Sequence, residues 1–343
     1  MPKIELKNVY KIFGEDPHSV LPLVKKGATK KEILAETDHT VGLDNVSISI
    51  EEGETFVCMG LSGSGKSTLI RHINRLIEPT EGVVLVDGVN VLEFNEKELL
   101  ELRRHEMSMV FQRFGLFPHK TVLENVAYGL EVQGKSIEER NQTAEEQIHA
   151  VGLNGFEHQY PSQLSGGMQQ RVGLARALAT KPGILLMDEA FSALDPLIRN
   201  DMQNQLMELQ SKLHKTIVFI THDLDESLKL GDHIGILNGG KLIQVGKPEE
   251  IIMSPADDYV TAFVKDVNRA KVLRAKTIML SPDNPTINGK VSGETIKVLE
   301  NSFIEEFLPQ VIEKRTVVEV IDKDGNTSGY ITEKELAQSL TKN

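Results

Sequence analysis

The chain has 343 residues, of which 40% are hydrophobic and 26% charged, and a formal net charge of -12. That balance suits one large globular domain plus a smaller one, and its acidity gives a nucleic-acid partner little support. No apolar run of 18 residues occurs, and Met1-Pro2-Lys3 does not open into a secretory signal, so a cytosolic chain without a bilayer span is expected.

Residues 3–9 alternate polar and apolar, which predicts an edge strand. Residues 14–41 break that rhythm and read as an insertion carrying one or two short helices. Lys25, Lys26, Lys30 and Lys31 gather there; a solvated helix face is expected, with anionic lipid or a partner as the alternative. From Glu54 short apolar stretches at 55–59, 83–86, 107–110, 184–187, 217–220 and 233–237 predict strands. Helices are expected to begin near Lys66, Ser165, Pro196 and Leu224, which together give an α/β fold with parallel strands at its centre. Cys58, the single cysteine, has no intrachain partner and reads as a small buried apolar residue.

Between residues 121 and 163 strand signals vanish, and 138–151 is polar with spaced apolar residues. A mostly helical subdomain at about 115–165 is expected inside the sheet domain. After about residue 267 the character changes again: 317–321, a turn at 322–326 and 328–331 predict a hairpin, and Thr332 to Glu335 fit a capping box. The expected division is a domain of residues 1–266 followed by a small α+β domain of 267–343.

Gly60-Leu61-Ser62-Gly63-Ser64-Gly65-Lys66-Ser67-Thr68 follows an apolar strand and precedes a helix, the context of a phosphate-binding P-loop. Glycines let backbone N–H groups wrap an anion, and the helix presents its positive end to it. Lys66 is expected to reach the β and γ phosphates of ATP and Ser67 to ligate Mg²⁺. The apolar strand 184–187 ends in Asp188 and Glu189. In a parallel sheet such an end opens into the ligand crevice. Asp188 is expected to hold Mg²⁺ through its water shell. Glu189, pointing the other way along the pleat, is expected to orient or deprotonate the attacking water. A helix N-cap pair is the competing reading of these two acids.

Leu164-Ser165-Gly166-Gly167-Met168-Gln169-Gln170 is a second small-residue turn opening a helix. Capping explains Ser165 alone, but not two glycines in a first helical turn, where each costs about 1 kcal/mol. Close approach of an anion does.

This segment resembles the signature of ATP-binding cassette (ABC) ATPases, and with the P-loop the likeness covers residues 3 to about 266. It implies that two copies pair head to tail, with Ser165, Gly166, Gly167, Met168 and Gln169 of one closing over ATP on the other. By the same likeness Gln112 resembles the Q-loop glutamine, which senses Mg²⁺ and the transmembrane partner. Ser192-Ala193-Leu194-Asp195 resembles the D-loop at the seam, and His222 the switch histidine. Phe13 matches the aromatic on which adenine stacks, although the insertion follows directly and a core phenylalanine is the alternative.

Asn74-Arg75-Leu76-Ile77-Glu78-Pro79-Thr80, Met187 through Arg199, and Thr221-His222-Asp223-Leu224-Asp225-Glu226 are similar to the ATPases of glycine betaine/proline (osmoprotectant) importers. Together with the 14–41 insertion, the likeness implies uptake of glycine betaine/proline or a related quaternary-amine solute such as choline, carnitine or trimethylamine N-oxide. Such a system needs permease subunits and an extracytoplasmic solute-binding protein, and places this chain peripherally on the cytoplasmic face of the inner membrane. The last domain looks like a CBS-type module through residues 317–322 and 329–332. It shows one clear repeat and has Glu335 where nucleotide-binding modules often have Asp, which leaves sensing and dimerisation both open. The rival readings are an importer ATPase for another small polar solute such as an amino acid, a soluble non-transport ABC ATPase, and a regulator that holds ATP without splitting it.

Overall fold

The computed structural model of the chain describes residues 1–111, 115–192, 194–284, 287, 295–314 and 316–341. Two compact units divide between Val245 and Gly246. The helices Pro248–Met253 and Asp258–Val264 thus fall with the second unit.

Among the described residues, a six-stranded sheet runs in the order Lys241–Gly246, His233–Asn238, Thr55–Met59, Thr216–Thr221, Ile184–Asp188, Met107–Val110. The last five are mutually parallel. Every residue of Thr55–Met59, Ile184–Asp188 and Thr216–Thr221 is buried. Parallel strands covered on both faces read as continuous apolar runs, and these were therefore visible in the sequence. Met59 pairs with Thr221 and Asp188 with Ile220, so the three strands end level with one another. Helices Lys66–Ile73, Gly166–Ala179, Pro196–Leu213 and Leu224–Leu230 begin where expected.

A second, antiparallel sheet has the order Thr40–Ile50, Ile4–Phe13, Glu81–Val86, Val89–Asn90. Ile4–Phe13 is not the expected edge strand; it pairs on both sides. Its alternation reflects one face on the core, which an interior antiparallel strand shows as readily as an edge. The insertion forms helices Pro17–Lys25 and Lys30–Thr37, the second opened by a Thr29–Glu32 capping box. Val20, Leu21, Val24 and Ile33 pack on Tyr10, Ile12 and Val41, so it is anchored by its own small core.

Helices Val122–Val132 and Ile137–Ala150 form the expected helical insertion, each with a capping box at its start. The fully buried Asn125 fixes the loop before it: Oδ1 accepts from Phe117 N, and Nδ2 donates to the carbonyls of Phe117, Lys120 and Thr121.

In the second unit, Ile296–Leu299 lies parallel to Val318–Ile321, which pairs antiparallel with Thr327–Ile331 as the expected hairpin. Asp322 shapes the turn by accepting from Asp324 N and Asn326 N, both at 2.8 Å. Helices Ile304–Lys314 and Glu333–Leu340 complete a core of Phe307, Val318, Val320 and Ile331.

Candidate active site

Gly60 leaves the end of Thr55–Met59 at φ +153, and a Cβ there would stand 2.2 Å from the Leu237 carbonyl oxygen. Gly65, at φ +110, would put one 2.6 Å from the Gly42 carbonyl oxygen. The loop is thus moulded tightly against neighbouring backbone, and Gly240 N donates to Ser64 O at 2.8 Å from outside. The Lys66 side chain is only 4% exposed. Its Nζ donates to Gly60 O at 2.8 Å and Leu61 O at 3.0 Å, which draws the cation into the mouth of the loop. Ser64 Oγ is buried with no hydrogen-bond partner among the described residues. A cation and an orphaned hydroxyl inside one glycine loop fit a phosphate group.

Ser67 Oγ donates to Asp188 Oδ1 at 2.8 Å, joining the P-loop to the neighbouring strand. Arg71 Nη2 lies 3.5 Å from Asp188 Oδ2. The sequence reading missed Arg71, although it lies four residues after Ser67 and so shares its helix face. No cluster of three or more His, Cys, Asp or Glu suited to a metal exists among the described residues. One hydroxyl and one carboxylate make an incomplete set, of the kind Mg²⁺ completes with phosphate oxygens and water.

Glu189 is aimed by a different cause from the one expected. The strand ends at Asp188, and Glu189 adopts a left-handed backbone at φ +47, a conformation that costs a non-glycine residue about 1–2 kcal/mol. Glu189 N donates to Ile220 O at 3.0 Å, while Ser192 Oγ donates to Glu189 O at 2.9 Å, which holds the kink. The carboxylate then lies 3.8 Å from Lys66 Nζ and 3.6 Å from His222 Nδ1. His222 is 55% exposed, beyond the end of Thr216–Thr221.

The second turn is separate. Ser165 caps Gly166–Ala179, its Oγ accepting from Met168 N at 3.3 Å. Gln169 Nε2 donates back to Pro161 O at 2.9 Å and Leu164 O at 3.2 Å, and so braces the turn itself. The two glycines divide. A Cβ on Gly166 would meet open space, but one on Gly167 would stand 2.6 Å from Ile198 Cγ2. Packing on Ile198 therefore accounts for Gly167, and only Gly166 leaves room for an approaching anion. Among the described residues, the hydrogen bonds of 165–169 outside its own helix Gly166–Ala179 stay within 161–169; none reaches the P-loop.

Asp195 begins Pro196–Leu213 without a side-chain cap. Phe13 is 39% exposed, with its Cε2 2.7 Å from where a Cβ on Gly42 would stand and Lys11 Nζ 5.1 Å from its ring centre. Since Gly42 also abuts Gly65, the ring sits beside the P-loop rather than in the core. Gln112 and Ala193 lie outside the described residues. Cys58 is fully buried, and burial pushes its thiol up to about 12.

The ABC transporter family pattern matches residues 43–192, which contain the P-loop, the 165–169 turn and the Asp188-Glu189 pair. The glycine betaine/carnitine transport ATP-binding protein GbuA of Listeria monocytogenes is 58% identical over 283 residues, 82% of this chain and 71% of that protein. This chain is an ABC transporter ATPase. The glycine betaine/proline betaine transport ATP-binding protein ProV of Escherichia coli is 53% identical to the ATPase, over 83% of this chain and 71% of its own length. The trimethylamine N-oxide transport ATP-binding protein TmoW of Pelagibacter ubique is 43% identical and spans 96% and 95%. A solved bacterial ABC transporter cassette, MJ0796, described as dimeric, superposes with a TM-score of 0.61 at 36% identity, covering 71% of this ATPase and 98% of the cassette. The same cassette is also known in a post-hydrolysis state bound to ADP and Pi.

Proposed function

We propose that the ATPase energises uptake of glycine betaine or a related quaternary amine, working as two copies with a permease and an extracytoplasmic solute-binding protein. No helix among the described residues is long and apolar enough to cross a membrane, which accords with a peripheral place on the cytoplasmic face of the permease. In this reading residues 1–266 form the nucleotide-binding domain and 267–343 a CBS-like regulatory or dimerising one. The strand–helix–strand–strand–helix order from Ile296 to Leu340 supports a single such module.

One observation carries the catalytic reading: a carboxylate forced out by a strained backbone stands between Lys66 and His222, beside the Ser67–Asp188 pair. Lys66 and the loop N–H groups of 60–68 hold the triphosphate, with Ser62, Gly63, Ser64 and Thr68 in the cradle. Ser67, Asp188 and Gln112 would hold Mg²⁺, which when bound would supply charge neutralisation at the phosphate oxygens. Glu189 orients water and accepts its proton, His222 contacts the γ phosphate, and Phe13 receives the adenine. Ser165 to Gln169 and Asp195 act on the nucleotide of the other copy, since the 165–169 turn makes no bond to its own P-loop.

Mg²⁺-dependent phosphate release tests the enzyme, and a polytopic permease should co-purify; failure of either removes the reading. Solute identity is decided by uptake of labelled glycine betaine, choline and trimethylamine N-oxide at high salt. Trimethylamine N-oxide is the second reading, favoured by the near-complete mutual coverage with TmoW. Uptake of none of the three, and none of labelled carnitine, would end the osmoprotectant assignment.

A further inference from the structure

Arg199 stands in the first turn of Pro196–Leu213, and its guanidinium bridges two functional segments. Nη2 donates to Leu194 O and Nη1 to Asp223 Oδ2, each at 3.2 Å. Leu194 precedes Asp195, whose own carbonyl accepts from Arg199 N at 2.8 Å. Asp223 follows His222 and is fixed on its other side: Oδ1 accepts from Glu226 N at 3.1 Å, and its N donates to Thr221 Oγ1 at 3.0 Å. One helical turn beyond Arg199, Gln203 Nε2 donates to the buried Glu226 Oε1 at 3.1 Å. The helix thus grips the segment after His222 at two points.

We propose that Arg199 is a positioning residue that transmits movement between Leu194-Asp195 and His222, and so couples the two ATP sites. This rests on the paired-site reading above. A guanidinium holds its two terminal nitrogens at fixed spacing, so displacing one acceptor must drag the other or break a bond; a lysine ammonium cannot span both.

The test measures ATPase rate against ATP concentration for the full chain carrying Arg199→Lys or Asp223→Asn, alongside fluorescent-nucleotide binding and thermal unfolding. Arg199→Lys should stay folded and bind nucleotide within about twofold of wild type, while kcat falls about tenfold and a wild-type Hill coefficient above one drops to one. Asp223→Asn keeps a helix cap and should fall between the two. Wild-type kcat and cooperativity in folded Arg199→Lys, or a wild-type Hill coefficient of one, overturns the link alone, provided that Glu189→Gln still pairs on ATP. Glu189→Gln eluting as a monomer with ATP overturns the paired site, and the link with it.

Discussion

The two glycine turns of this ATPase look alike in sequence and are built differently. In 60–68 Gly60 and Gly65 are imposed from within the fold, by the Leu237 and Gly42 carbonyls, Gly63 by its positive φ of +76, and a buried lysine closes the mouth. In 165–169 one glycine is imposed by Ile198, the other faces open space, and no lysine is present. The first turn is a site with its own cation, whereas the second is a surface that needs something brought to it. In the proposed reading, a chain with both binds ATP alone but splits it in company.

That contrast is broken most directly at Glu189. Glu189→Gln should lower turnover by about 10² to 10⁴-fold, with ATP binding retained and an ATP-dependent dimer trapped on a sizing column. Ser165→Glu, which in the proposed paired site sets a bulky acid against the other copy's phosphates, should cut turnover about a hundredfold. Its nucleotide affinity as a single chain should stay at the wild-type value; a matching loss of affinity would place the turn in its own chain's site.

The P-loop side should also carry a pH signature that the second turn lacks. His72, buried on the helix behind the loop with Nδ1 against Thr68 O at 2.6 Å, has its pKa lowered by burial to about 4 from 6.5. The unfolded chain therefore binds more protons between those values, and stability should fall as pH drops through about 6.5 towards 4, by roughly 2–3 kcal/mol. Denaturant titrations of wild type and His72→Gln check this: the variant's curve should be flatter across that window.

The smallest effects separate the paired glycines. Gly167→Ala should destabilise by about 1–3 kcal/mol and be relieved by Ile198→Ala. Gly166→Ala should stabilise by up to about 1 kcal/mol while lowering turnover, because the added methyl meets open space except for the phosphate that the paired-site proposal brings there. Equal behaviour of the two variants would erase the distinction.

What the sequence disclosed was local. The P-loop, the helix starts and the 318–331 hairpin rest on glycine placement and unbroken apolar runs, which short windows contain. Thr40–Ile50 escaped notice because the adjoining insertion disturbed the pattern, although Val46, Ile48 and Ile50 alternate plainly. The aim of Glu189 was hidden because a left-handed kink depends on Ile220 and Ser192, not on its neighbours' identities. Arg199 was hidden because Leu194 and Asp223 meet only once the helix has been laid across the sheet.

Cys58 has a practical corollary. Its thiol is sealed in the central strand and hard to ionise, so the natural chain should be silent towards maleimides and mild oxidants. Cysteines introduced at Gly166 and Ser62 could then be joined by a short bifunctional reagent without first stripping the background. Covalent dimer formed only in the presence of nucleotide would give the distance between the two turns a direct chemical readout.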